Sequence, residues 1–176
     1  MQQKSWRKWE LIGLFFVVGA GNLLHFVYEW CGKSRLAALF SGVNESTWEH
    51  MKLLAVPWLI WTAAEGFALR GRGVLAARAA GLITGLVFIP TVYYTYTGAL
   101  GVSSSLVNIL IFQAAVLSGA AVTWHMLKER KFSAAVWRAP AAVLLLALAA
   151  LFMWWTFAPP ALPLFTDPVS GLRGAQ

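Results

Sequence analysis

The chain has 176 residues, 59% of them hydrophobic and only 12% charged, with a formal net charge of +7. A soluble domain carries about 25% charged residues, so the composition excludes an ordinary water-soluble globule and points to a chain solvated by lipid. Backbone polar groups in lipid are satisfied only within helices or a closed barrel, and the apolar runs here are continuous, not alternating, which excludes the barrel.

The positive charge does not signal nucleic acid. The basic residues sit between apolar runs and form no stripe on a polar face. The single cysteine, Cys31, rules out an internal disulfide and cysteine-based metal motifs.

A membrane span needs about 20 mostly apolar residues, and five stretches qualify. The first lies near 9–30. Lys4, Arg7 and Lys8 precede it as in a signal peptide, but the apolar run is too long for a signal core, so an uncleaved first helix is expected. Near its end His25 and Glu29 are spaced i, i+4 and share one helical face with Asn22.

The second span, near 45–69, opens on Asn44-Glu45-Ser46-Thr47-Trp48-Glu49-His50. Asn44 suits the N-cap and Glu45 the positive end of the helix. Glu49 and Lys52 are placed for an i, i+3 ion pair, and Pro57 for a kink. Glu65 sits deeper, where an inward-facing carboxylate would belong to a proton or ion path.

The third span, near 74–100, carries Gly81 and Gly85 as a small-xxx-small pair, which allows close helix approach within the chain or in a homo-oligomer. Pro90 should kink it. The fourth, near 104–127, carries Asn108 and Gln113, read as interhelical hydrogen-bonding groups. The fifth lies near 134–157. The tail, 158–176, is rich in proline and too apolar to float in water, so it should lie back over the membrane edge and bring Asp167 with it.

Together these define an all-α membrane protein, one polytopic domain over 1–176, with five transmembrane helices joined antiparallel by short connections. Lys4, Arg7, Lys8, Arg70, Arg72, Arg78, Lys128, Arg130, Lys131 and Arg138 fall on one side of such a chain. That bias puts the N-terminus inside and the C-terminus outside, in the cell membrane.

The same anchors set depth. At about 1.5 Å per residue across about 30 Å of hydrocarbon, counting from Lys8 and back from Arg70 places His25, Glu29, Glu49 and His50 in one layer at the outer edge. Two chemistries fit. In one, His25, Glu29, His50 and one of Glu45 or Glu49 bind zinc, manganese or iron. An open position on the metal activates water for hydrolysis of a lipid-linked or envelope substrate. In the other, His50 activates Ser46 as a nucleophile, with Glu49 a further catalytic candidate. A third reading needs no reaction: the pocket, with Tyr93, Tyr94 and Tyr96 nearby, binds a lipid headgroup or a passing solute. His125 lies at the far end as an interfacial residue. The functional alternatives to a metal-dependent hydrolase are a small oligomeric transporter or channel and a non-catalytic membrane subunit.

The runs His25-Phe26-Val27-Tyr28-Glu29-Trp30 and Phe40-Ser41-Gly42-Val43-Asn44-Glu45-Ser46-Thr47-Trp48-Glu49-His50-Met51-Lys52 resemble a family of small prokaryotic membrane proteins of unknown function. Its pattern is approximately HFxYxWSG followed by FSPVNESxWEHxK. The tail, with its PP, PLF, DP and glycine in order, resembles the family's ending. Cys31 stands where the pattern has serine, Gly42 where it has proline, and Leu172-Arg173 near an expected tyrosine. The resemblance implies a polytopic membrane protein and carries no activity with it.

Overall fold

The structure, a computed structural model, describes residues 2–69 and 73–175. Arg70 and Arg72, two members of the charge bias and one anchor of the depth argument, lie outside the described residues.

Among the described residues six α-helices follow in order: α1 (Gln2–Trp30), α2 (Arg35–Phe40), α3 (Thr47–Ala68), α4 (Val74–Leu100), α5 (Ser105–Lys128) and α6 (Arg138–Phe157). Short 3₁₀ turns precede α6 and punctuate the tail at Pro163–Phe165. Among the described residues there is no strand, only an isolated antiparallel pairing of Thr166 with Arg173 in the tail. Among the described residues, four helices are long and apolar enough to cross a membrane: α1 from Trp6, α4, α5, and α6 with its preceding turn.

The remaining long helix, α3, is different. It carries Glu49, Lys52 and Glu65, all buried, and it packs against α1, α4, α5 and α6. Its charged groups are hidden because they lie on the face of α3 that packs against the other helices, where protein replaces water as their partner, while Ile60 and Phe67 on another face are exposed. α3 begins two residues later than expected. Ser46 is its N-cap and accepts from the Glu49 N–H, while Asn44 Oδ1 accepts from the Ser46 N–H in a turn before the helix. A serine hydroxyl reaches the third N–H of the first turn as well as an asparagine does, so either residue satisfies the sequence rule.

Gly81 and Gly85 are both buried and both face α5 of the same chain. A Cβ on Gly81 would fall 2.6 Å from the Gly119 carbonyl oxygen, and one on Gly85 3.2 Å from the Ala115 carbonyl oxygen, so the pair seats α4 on α5. Helices α3 and α4 run through Pro57 and Pro90. Pro57 has no N–H for the Leu53 carbonyl, and that oxygen faces Gly21 of α1, 2.9 Å from where a Cβ would stand. The glycine lets α1 close on the freed carbonyl.

The alternation of helix directions gathers chain ends. One end of the bundle collects the C-terminus of α1, the N-termini of α3 and α5, the C-termini of α4 and α6, and the tail. Here Trp48 stacks on Phe152 (centroids 4.3 Å apart) and meets Phe165 of the tail (4.8 Å). The opposite end is closed by Trp6 against Trp124.

Candidate functional site

Three of the predicted site residues meet. His25 comes from the last two turns of α1, Glu45 from the loop before α3, and His50 from the first turn of α3. His25 Nε2 stands 3.5 Å from Glu45 Oε1, and His50 Nε2 stands 3.5 Å from Glu45 Oε2. The imidazole centroids are 5.7 Å apart. One carboxylate is thus held between two imidazoles. The second ring nitrogen of His50 lies 3.0 Å from the Ser46 carbonyl. A carbonyl only accepts, so Nδ1 carries the proton there, and Nε2 is the nitrogen turned to Glu45.

Two more candidates go elsewhere. Glu29 is exposed and pairs with Lys33 at 3.4 Å, one turn away on the solvent side. Glu49 is buried and pairs with Lys52, pointing into the bundle away from His50; adjacent positions on a helix diverge by about 100°. Ser46 is buried with its hydroxyl spent on the Glu49 N–H, so His50 touches its carbonyl and not its hydroxyl. Among the described residues, no group of three or more His, Cys, Asp or Glu side chains is arranged to hold a metal ion as it stands. The two Nε2 atoms face separate oxygens of Glu45.

The site opens on both sides. One cavity of about 400 Å³ is lined by His25, Glu45 and His50 with Asn22, Phe26 and Phe112. A neighbouring one of about 260 Å³ runs from Glu45 and His50 to Tyr93 and Asn108. A third, of about 400 Å³, places Glu29, Lys33 and Asp167 on the other flank of His25 and Glu45. Asn108, Asn22 and Thr47 on these walls each meet a polar partner from a neighbouring helix. Tyr96 donates to Asn108 Oδ1 at 2.5 Å, Gln113 donates to Asn22 Oδ1 at 3.3 Å, and Tyr94 lies 3.4 Å from the Thr47 hydroxyl. Asn108 and Gln113 are therefore the interhelical groups expected of them. His125 is exposed at the opposite end, 3.3 Å from Lys131 Nζ.

The tail fixes the loop that carries Glu45. Asn44 donates to the Gly174 carbonyl at 3.1 Å, and the Ala175 N–H donates to the Thr156 carbonyl at 2.8 Å. Asp167 is only 6% exposed. Burial pushes its carboxyl up, but hydrogen bonds from the Ser170 hydroxyl and from the backbone N–H groups of Val169, Ser170 and Glu45 outweigh it and hold it below the ordinary aspartate value. A carboxylate with a depressed folded value contributes stability above its unfolded value and loses it as pH falls through the folded one. Asp167→Asn should therefore expose the tail to protease at neutral pH, a weakening of about 1–3 kcal/mol from charge-assisted hydrogen bonds. The unaltered chain should approach that rate of cleavage only below about pH 4. Equal cleavage of both chains at neutral pH would show that the tail is held by its apolar contacts alone.

Beneath the site lies a buried network that the spacing of Glu49 and Lys52 only half announced. Lys52 is fully buried. Its ammonium meets the Glu49 carboxylate and donates to the Ala38 carbonyl at 2.8 Å and the Thr156 hydroxyl at 2.7 Å. Glu49 Oε2 also accepts from the Val43 N–H at 3.2 Å. The pair ties α2, the loop before α3, and α6 together. Thr156 and Ala38 carry no sequence signal for this role, since both sit in apolar stretches.

The described residues form an all-helical bundle with four helices fit to cross a membrane and a His–Glu–His group at one end, and this defines a class: a membrane protein with a polar site where its helices end. The chain belongs to a family of unknown function (DUF6512), whose profile matches residues 1–175. No curated protein and no solved structure matches it.

Proposed function

We propose that the chain crosses the membrane five times and binds a divalent metal, zinc, manganese or iron, through His25, Glu45 and His50. The metal's remaining position would activate water against a lipid-linked or envelope substrate. The observation that carries this reading is the single carboxylate flanked by two imidazole Nε2 atoms beside an open cavity. Ligands about 2.0–2.1 Å from a tetrahedral metal stand roughly 3.3 Å apart, close to the nitrogen–oxygen separations seen here. Binding requires Glu45, which is half exposed, to swing so that both nitrogens and one oxygen share a centre. The Ser46 carbonyl on His50 Nδ1 is the kind of outer contact that fixes a ligating histidine.

Crossing by α3 is supported by its length, since 22 residues at about 1.5 Å each span about 30 Å. The Lys and Arg bias supports an N-terminus inside and a site outside.

Elemental analysis of the purified protein tests the metal. One zinc, manganese or iron per chain is expected, lost in His25→Ala, His50→Ala and Glu45→Gln and kept in Glu29→Gln. A folded protein without metal, even after incubation with each ion, removes the hydrolase reading. A small transporter is the second reading. The Asn22–Gln113 pair favours it, because polar groups continue inward from the cavity. Solute flux into vesicles, abolished by Asn22→Ala, is its test.

A further inference from the structure

The opposite end of the bundle buries a second set of charges, unrelated to the proposed metal site. Glu10 of α1, Glu65 of α3 and Arg78 of α4 are 3%, 0% and 1% exposed. Arg78 Nε donates to Glu65 Oε2 at 2.6 Å. Its Nη2 lies against the same oxygen and 3.3 Å from Glu10 Oε1. The guanidinium also sits over Trp58, 5.2 Å from the ring centroid. Two carboxylates thus share one cation. Each keeps a buried oxygen with no hydrogen bond, Glu10 Oε1 and Glu65 Oε1, and Arg78 Nη2 likewise makes ion-pair contacts without a hydrogen bond.

The other charged groups described on the packed elements are exposed or engaged elsewhere. Arg7 lies over Trp6, and Lys8 on α1 and Arg138 on α6 are exposed. On α5, His125 meets Lys131 and Lys128 meets Glu129. On α3, Glu49 and Lys52 pair at the far end. With both carboxyls ionised the triad has a net charge of −1 in a place shielded from water. An uncompensated buried carboxylate is strongly disfavoured, and two carboxylates crowded on one site do not both ionise. Glu65 Oε1 is an acceptor with no donor beside it, and Glu10 Oε1 has only the ion-pair contact with Arg78 Nη2; a proton between the two carboxyls supplies a hydrogen bond.

We propose that Glu10 and Glu65 form a proton-binding site: one proton, taken from water, sits on the Glu10 carboxyl and is donated to Glu65, while Arg78 balances the remaining carboxylate. Uptake forms one O–H bond and one carboxyl–carboxylate hydrogen bond, and it brings the triad from −1 to neutral. The three groups come from three helices, so proton occupancy is linked to how α1 seats against α3 and α4. The backbone leaves room for this at Gly13, where a Cβ would fall 2.2 Å from the Trp61 indole nitrogen and 2.9 Å from Arg78 Nη2.

Infrared spectroscopy of the purified chain in detergent at neutral pH, in water and in heavy water, tests the site. A protonated-carboxyl C=O band that shifts on deuteration is expected. The band should vanish in Glu10→Gln, move in Glu10→Asp, which keeps a carboxyl and serves if the glutamine variant fails to fold, and persist in Glu49→Gln. A native chain with no such band, or a band that Glu10→Gln and Glu10→Asp leave in place, overturns the proposal.

Discussion

Lys52→Met should unfold or nearly unfold the protein in detergent, lowering stability by about 3–5 kcal/mol, the effect of removing one partner of a buried ion pair. The ammonium is fully buried and serves three acceptors from three segments: Glu49 on α3, the Ala38 carbonyl on α2 and the Thr156 hydroxyl on α6. Without it, Glu49 remains as a buried carboxylate with only the Val43 N–H and a long contact from Thr156. The double variant Lys52→Met with Glu49→Leu should recover most of the loss, because it removes both charges and fills the space with apolar atoms. The thermal midpoints of the two singles and the double close a mutant cycle, and a strong favourable coupling is expected. If Lys52→Met melted with the unaltered protein, the attachment of α2 and α6 to α3 would rest on apolar packing alone. The loss should reach the candidate site as well, since the Val43 N–H on Glu49 steadies the loop that presents Glu45.

Three of the long helices were legible because hydrocarbon imposes a simple rule: near 74–100, 104–127 and 134–157 the apolar runs coincide with α4, α5 and α6 to within a few residues. The convergence of His25 with His50 was legible for the same reason, as both lie a fixed number of residues from a charged anchor. Direction around a helix was not. His25 and Glu29 share a face by spacing, yet Glu29 lies one turn further out and takes Lys33 from the connection instead. Glu45 and Glu49 were interchangeable on paper. The start of α3 at Thr47 leaves Glu45 in a loop free to lean toward both histidines, and it commits Glu49 to the core. Arg78 shows the opposite error. Counted among the charges of a loop, it is an interior residue of α4 that meets Glu10, a residue inside the first apolar run. A charged residue within a span is itself a signal of an inward partner, and reading Glu10 and Arg78 that way would have paired them. Residues such as Thr156 and Ala38, which act through one hydroxyl and one carbonyl, become visible only once the chain is folded.

The seam between α4 and α5 separates packing within the chain from association between chains. At Gly81 a Cβ would stand 2.2 Å from the Thr123 hydroxyl, 2.6 Å from the Gly119 carbonyl oxygen and 2.8 Å from Trp58. Thr123 is pinned by hydrogen bonds to the Ala77 and Gly119 carbonyls, and a backbone oxygen cannot rotate away. Gly81→Ala should therefore push the two helices apart and destabilise by about 1–3 kcal/mol, the range for overpacked cores, and Gly81→Ile by more. Gly85→Ala should be milder, because its tightest neighbour is the flexible end of Leu54, at 3.0 Å. Gly98→Ala meets nothing within 4 Å, and should be neutral or stabilising by up to about 1 kcal/mol from helix propensity. This order is a property of one chain. If Gly81 instead joined two copies, Gly81→Ile would leave a folded monomer with an unchanged melting point, and light scattering in detergent would show the mass halve. Contact within the chain predicts the reverse: the melting point falls at every protein concentration, and the mass of the protein that remains folded does not change.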